Sequence, residues 1–280
     1  MSERPVRKYR RILLQIDAAS HCRETMGAAL DIAARLGGEL HGVFIEDSDL
    51  VTVSELGFVQ EFRLSSPVAH QLDRVTLEAQ LRAMSRSVQR HLEREARRRK
   101  IVIGFRAVRG AGWPSEEKDL DDADLVIIES TGRLHSRNFR ARLSSRGMLT
   151  RMPRPTLLLK GAKHLTAEAL IICDSLVAAE QGVRAVTSLL SIPLSHITLL
   201  PFDLDEAALA GVVEFAKSAG QPGEAGLRIM PPLLATNGYA LERILARESL
   251  VVLTSGGAFL QDPANLEPLL TSRHPLLFLH

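Results

Sequence analysis

The sequence repeats itself, and that repetition limits what the chain can fold into more than any other feature. Leu13-Leu14-Gln15-Ile16-Asp17 is echoed by Leu170-Ile171-Ile172-Cys173-Asp174, each an apolar run closed by an aspartate and followed by a helical stretch. Asp124 to Gly132 (Asp-Leu-Val-Ile-Ile-Glu-Ser-Thr-Gly) is echoed by Ser249 to Gly257 (Ser-Leu-Val-Val-Leu-Thr-Ser-Gly-Gly). Pro155-Thr156-Leu157-Leu158-Leu159-Lys160 is echoed by Pro275-Leu276-Leu277-Phe278-Leu279-His280. Three matching blocks in one order mark two copies of one unit rather than a solenoid, which needs three or more short repeats. The offset between copies falls from 157 to 125 to 120 residues. The front copy thus carries about thirty extra residues between its first and fourth strands, and about five more after the fourth. The boundary falls near Gly161 to Thr166, giving an expected front domain 1–163 and rear domain 164–280.

Within each copy, apolar runs of strand length alternate with helical segments, the pattern of a parallel sheet built from βαβ units. Front strands are expected at Arg11–Asp17, Glu39–Ile45, Val102–Val108, Leu125–Glu129 and Pro155–Lys160. Rear strands are expected at Ala169–Asp174, His196–Phe202, Leu227–Met230, Leu250–Thr254 and Pro275–Leu279. A helix over Thr25–Leu36 carries Ala28, Ala29, Ile32, Ala33 and Leu36 on one stripe and stops at Gly37-Gly38. The longest helix, from about His70 to Lys100, keeps Leu77, Leu81, Met84, Val88 and Leu92 on one face. The fold class is therefore α/β, two tandem doubly wound five-stranded parallel-sheet domains. Aromatic residues make up only 4% of the chain, so its cores must be built from Leu, Ile, Val and Ala, as is usual in such sheets.

With those blocks located, the chain resembles the universal stress protein family. Gln15-Ile16-Asp17-Ala18-Ala19-Ser20 is similar to that family's opening Val-Asp-Gly-Ser, and Ala34-Arg35-Leu36-Gly37-Gly38-Glu39-Leu40 to its Ala-Arg-Leu-Gly-Ala-Glu-Leu entry into strand two. Met152-Pro153-Arg154-Pro155-Thr156 resembles its closing Ala-Pro-x-Pro-Val strand. The likeness covers most of 9–163 and, more faintly, 167–280. It implies an adenine nucleotide alpha hydrolase-like, Rossmann-like fold, with the two copies pairing through their last strands as in a dimer of single-domain relatives.

Family members that bind ATP carry a glycine, two residues, a glycine, nine residues, then glycine and Ser or Thr. The glycines let backbone approach the triphosphate, whose oxygens accept amide and hydroxyl hydrogen bonds at a helix N-terminus. Here those four positions fall on Glu129, Gly132, Arg142 and Leu143. The family pocket also includes the rim positions Asp17 and Ile45, because ligands of open parallel sheets bind beyond the carboxyl ends of the strands where strand order reverses. Only Gly132 keeps the family residue. Glu129 sets a carboxylate beside phosphate oxygens, at a cost of about 1–4 kcal/mol for unit charges about 4 Å apart. Arg142 and Leu143 add bulk and remove a hydroxyl, at roughly 1 kcal/mol per lost hydrogen bond. Together these weaken ATP by about a hundredfold or more. In the rear copy Thr254 and Gly257 take the first two positions, and no Gly-Ser follows. The expectation is a lost or weakened nucleotide site and no cofactor, with ATP or AMP as the alternative.

The remaining features are weighed on charge. The chain up to residue 163 holds 29 Lys and Arg against 21 Asp and Glu; from His164 onward the count is 6 against 12. A basic front and an acidic rear can attract each other, or the front can meet an anionic partner. Arg133, Arg137, Arg140, Arg142 and Arg146 cluster in the front loop, an alternative anion site or a set of ion pairs to Asp121, Asp122 and Asp124. Arg82, Arg86, Arg90, Arg94 and Arg98 line one stripe of the long helix. That stripe reads as a polyanion rail, or as a solvated face partly neutralised by Glu78, Glu93 and Glu95; the lack of interleaved aromatics disfavours nucleic acid. Asp47 to Pro67 is an insertion, with Leu50, Val53, Leu56, Val59 and Phe62 on one side of a short helix, placed to cover the cleft, form a contact or cap the sheet edge.

No Walker loop, Gly-x-Gly-x-x-Gly, His-Glu-x-x-His or Gly-x-Ser-x-Gly appears, and the nine histidines have no metal-ligand spacing. Cys22 and Cys173 lie too far apart to suggest a cysteine framework. No apolar run approaches the roughly 20 residues of a membrane helix, and Ile12–Ile16 is too short for a signal peptide's apolar region. The expectation is a cytoplasmic, non-catalytic stress-response or regulatory protein without a metal. It would act on a protein partner or small anionic ligand, with no membrane partner, and a homodimer is left open. An ATP- or AMP-binding member with weak hydrolysis is one alternative, and a polyanion binder the other.

Overall fold

The computed structural model describes residues 11–17, 23–56, 60–62, 69–71, 73–110, 122–129, 154–159, 168–190, 196–219, 226–233, 250–254, 257–272 and 274–279. In chain order the front elements are β1 (Arg11–Asp17), α1 (Arg23–Leu36), β2 (Glu39–Asp47), α2 (Ser48–Ser54), β3 (Gln60–Phe62), β4 (Ala69–Gln71), α3 (Arg74–Arg99), β5 (Ile103–Gly110), β6 (Leu125–Glu129) and β7 (Thr156–Leu159). The rear elements are β8 (Glu168–Cys173), α4 (Leu176–Leu190), β9 (His196–Pro201), α5 (Glu206–Ala219), β10 (Gly226–Ile229), β11 (Leu250–Thr254), α6 (Ala258–Gln261), α7 (Pro263–Thr271) and β12 (Leu276–Leu279).

Ten of these strands form one sheet, in the order β10-β9-β8-β11-β12-β7-β6-β1-β2-β5. Leaving β3 and β4 aside, each half runs third, second, first, fourth, fifth from its outer edge inward. This is the doubly wound order, with strand direction parallel throughout each half. The halves meet where β7 and β12 pair antiparallel, Leu158 opposite Leu276, Leu157 opposite Leu277 and Thr156 opposite Phe278. The expected pairing of the two last strands is therefore present, and it fuses the two five-stranded units into a continuous sheet. All ten expected main-sheet strands form, their ends moved by no more than two residues.

Side chains alternate across a strand, so each strand feeds two cores. Ile12, Leu14 and Ile16 of β1 join Ala29, Leu30 and Ala33 of α1, Val88 and Leu92 of α3, Ala179 and Val186 of α4 and Val212 of α5. Leu13, Val43, Ile45, Val126 and Ile128 join Phe202, Phe259, Leu269 and Phe278 in a second core on the opposite face. Phe202 and Phe259 meet edge to face there, with ring centres 4.9 Å apart. Strands β6, β7 and β12 are buried along their whole length, which is why they read as unbroken apolar runs.

The long helix starts later than its apolar pattern suggests. Residues 69–71 pair with 60–62 in a small antiparallel ribbon, and α3 begins only at Arg74. Asp73 sets that start: its carboxylate accepts from the Thr76 amide at 2.9 Å. Within the insertion, the expected stripe is not the buried one. Val51 is buried against Leu77 and Leu81, whereas Val53 and Leu56 are 39% and 44% exposed. The helical part of the insertion is confined to α2, and Phe62 belongs to the ribbon. Val59 lies outside the described residues.

Two interactions give measurable expectations. Gly182 of α4 lies so close to β8 that a Cβ there would sit 2.4 Å from Ile171 Cγ2. Gly182→Ala gains about 1 kcal/mol of helix propensity but over-packs the core, which costs about 1–3 kcal/mol. A net destabilisation of about 1 kcal/mol is expected in urea unfolding, and a stabilised variant would refute the packing argument. At the amino edge of the sheet, Arg11 Nε lies 2.8 Å from Glu39 and its Nη1 2.8 Å from Asp122, while its amide donates to Asp124 at 3.1 Å. The hydrogen bond from Arg11 holds the Glu39 carboxyl below its usual pKa, with a smaller contribution from His41. A carboxyl lowered in the folded state adds stability above its unfolded pKa, near about 4.3, and loses it as pH falls through the folded value. Arg11→Met is therefore expected to lower Tm at neutral pH and to differ less from wild type in acid. A Tm gap that stays constant through that window would contradict the pairing.

Candidate functional site

In the front half, strand order reverses between β1 and β6, since β2 leaves on one side of β1 and β6 lies on the other. Asp17 is in register with Ile45, and Gln15 with Ile128, so Asp17, Ile45 and Glu129 come to one edge of the sheet. This is the edge at which a ligand of such a fold would bind. The structure brings these three positions together, but it gives them different roles. Ile45 is 2% exposed and packs in the second core, so its side chain is already used. Glu129 ends β6 opposite Leu159 and is 6% exposed, a buried carboxylate at the first glycine position of the family motif. Gly132, Arg142 and Leu143 lie outside the described residues, as do Arg133, Arg137, Arg140 and Arg146 of the same loop.

The rear half shows its rim in more detail. Asp174 follows β8, and its Oδ2 accepts from the amide of Ala258 at 2.5 Å. Ala258 opens α6 directly after Gly257, the second glycine position of the motif. A Cβ on Gly257 would sit 2.4 Å from Asp174 Oδ2 and 3.3 Å from the Thr254 carbonyl. The missing side chain at Gly257 thus admits a carboxylate of the same chain. An aspartate that closes a strand just before a helix can cap that helix or fix the loop between them. The cap of α4 is Ser175, whose Oγ accepts from Ala178 N at 3.1 Å. Asp174 reaches across to an amide 84 positions away. Its only sequence signal was the Gly256-Gly257 pair after the fourth strand of the repeat.

Because β7 and β12 run antiparallel, the carboxyl ends of the rear strands lie at the opposite edge of the sheet from those of the front. The two rims therefore cannot share one small ligand.

Elsewhere the chemistry is quiet. Cys173 is buried, its thiol lies 3.7 Å from the Leu200 carbonyl, and burial pushes its pKa up to about 12, so it remains a thiol at neutral pH. Among the described residues no group of three His, Cys, Asp or Glu is placed to hold a metal ion. No helix among them is long and apolar enough to cross a membrane. On the arginine stripe of α3, Arg82 pairs with Glu78 at 3.0 Å, and Arg98 and Arg94 with Glu95 at 3.1 and 3.6 Å. Glu93 turns to Arg97 instead, at 4.0 Å. Glu78 also receives Arg74 and Arg109, each at 3.2 Å, and its carboxyl is held below the usual range, first by the bond from Arg74. Asp122 pairs with Arg11 at the amino edge, away from the rim.

No family model matches the chain, and no curated protein sequence is similar to it. Its fold is nevertheless shared with solved structures along nearly its whole length. A universal stress protein from Archaeoglobus fulgidus DSM 4304 superposes with a TM-score of 0.64 at 12% identity, covering 96% of this chain and 95% of that one. A protein assigned to the same family from Pseudomonas aeruginosa UCBPP-PA14 gives 0.58 at 12% identity over 97% and 93%. A protein of unknown function from Pseudomonas aeruginosa PAO1 gives 0.55 at 14% identity over 97% and 92%. The chain has the α/β fold of universal stress protein structures, as its sequence resemblance implies.

The rear rim can be tested by a double-mutant cycle. Asp174→Ala removes the cap and is expected to cost about 1 kcal/mol. Gly257→Ala acts by displacing that same carboxylate, so its cost is expected to shrink once Asp174 is gone. Additive costs in chemical denaturation would break the link between the two residues.

Proposed function

We propose that the protein is a non-catalytic regulatory or stress-response protein of the universal stress protein type, with a lost or weakened ATP site. It would act through a protein partner or a small anionic ligand. The observation that carries this reading is the chemistry at the motif positions on the two rims. A triphosphate needs amide donors and bare backbone there. In the rear, the Asp174 carboxylate accepts from the amide after Gly257. In front, Glu129 buries a carboxylate at the strand end. An oxyanion entering the rear rim must displace a formed hydrogen bond to a carboxylate, and in front a carboxyl group occupies the position where the motif has bare backbone.

Calorimetry with ATP beside inorganic triphosphate tests the reading, because only the rim would recognise adenine. ATP is expected to bind no more tightly than triphosphate. Binding of ATP about tenfold tighter, or more, would restore a working nucleotide pocket. Release of a stoichiometric adenine nucleotide on denaturing the freshly purified protein would do the same.

A further inference from the structure

Helices α1 and α3 pack side by side, and near the start of α1 they leave a cleft of ≈ 210 Å³. Its apolar floor is Met26 and Val88, both buried. Its rim is basic, formed by Arg23 from α1 and by Arg90, His91 and Arg94 from α3, with the Ser87 hydroxyl alongside. We propose that this cleft binds a small oxyanion of the phosphate class, a phosphate monoester or a diphosphate, held by Arg23, Arg90 and Arg94.

Charge balance carries the argument. Arg23 and Arg90 have no carboxylate partner among the described residues, although ion pairs engage most of the surrounding arginines. Arg94 has only Glu95, at 3.6 Å from its Nε. Three arginines thus line one cleft with a single loose counter-charge among the described residues. Guanidinium groups are the side chains best shaped to grip phosphate oxygens in pairs. The imidazole is set to assist. Arg94 donates to His91 Nδ1 at 2.9 Å, which leaves the ring neutral with its proton on Nε2, a donor. Burial, and then the neighbouring Arg94, keep the His91 pKa low, with Arg23 and Arg99 adding to the effect and Glu95 opposing it. An anion among the three arginines relieves that mutual repulsion.

The pairing pattern also selects a compact ligand over a polymer. Along the stripe, Arg82 at one end and Arg98 at the other are paired to Glu78 and Glu95. Arg86, one turn before Arg90, also has no carboxylate partner among the described residues, so the uncompensated charge is a short run over Arg86, Arg90 and Arg94, bounded by paired arginines rather than extended as a rail. The cleft is lined by residues of α1 and α3 alone and includes none of Asp17, Ile45 or Glu129, so the inference does not rest on either rim binding a nucleotide.

Calorimetry with inorganic pyrophosphate tests it on the full-length protein. Wild type is expected to bind, Arg90→Gln and Arg23→Gln to bind at least about tenfold more weakly, and Arg82→Gln to match wild type. Pyrophosphate should also shift the His91 ring resonances, which a purely structural role for these arginines would not produce. Unchanged thermal unfolding of the exposed arginine variants keeps a loss of binding distinct from a loss of fold. The proposal fails if wild type gives no heat at millimolar pyrophosphate, or if Arg90→Gln and Arg23→Gln bind as wild type does. It also fails if a single-stranded oligonucleotide binds with a steep salt dependence while pyrophosphate does not, which would assign the stripe to a polymer. Adenine-dependent ATP binding that survives Arg90→Gln would count against the reading of the rims and leave the cleft untouched.

Discussion

The structure depends on a ladder only three residue pairs long. Thr156, Leu157 and Leu158 of β7 meet Phe278, Leu277 and Leu276 of β12, and every one of these side chains is buried. Taken alone, each half would end in an apolar strand with unpaired amides along its edge, a template for uncontrolled association. Pairing the two edges satisfies both sets of backbone groups within one chain. It also lets both cores run past the join, since Leu157, Leu159, Leu277 and Leu279 belong to one and Leu158, Leu276 and Phe278 to the other. The contact between α1 and α4 across the join follows from the same geometry.

The rims then show how a fold can keep its scaffold while the chemistry at its strand ends changes. The register that brings Asp17, Ile45 and Glu129 to one edge depends on apolar pairing, which is indifferent to what the edge carries. Substituting a carboxylate for a glycine at a strand end therefore leaves the sheet intact. In the rear half Thr254 stands at the first glycine position, and the aspartate that closes the first strand is part of the architecture, since Asp174 joins the end of that strand to the element that follows the fourth. A cap of this kind is worth about 1 kcal/mol, small beside the burial of either core but enough to oppose a weak ligand.

The sheet was legible in the sequence because its determinants are local and periodic. Each strand of a doubly covered parallel sheet is a short apolar run between helical stretches, and β6, β7, β11 and β12 all follow that rule. The pairing of the two halves was legible only through the family resemblance, since no spacing encodes it. What was missed depends on contacts distant along the chain. The 60–62 and 69–71 ribbon removes residues from a helix whose own pattern would include them. The buried side of α2 is set by Leu77 and Leu81 of α3, not by the stripe that its sequence displays. The reach of Asp174 to Ala258 spans most of the rear half, and no local rule announces it. The cleft between α1 and α3 required knowing which arginines find partners, and that is a property of side-chain geometry rather than of spacing.

The ladder at the join has one more consequence. In a symmetric dimer a contact between residues i and j occurs twice, so any change at the interface is made on both sides at once. Here the equivalent pairs are Thr156 with Phe278 and Leu158 with Leu276, and they are no longer alike: one sets a hydroxyl against an aromatic ring, the other matches two leucines. A seam written within a single polypeptide is free of that constraint. Each side can be tuned without disturbing its mirror image, and β7 paired in the same register with β7 of another copy would set Thr156 against Leu158 at both places.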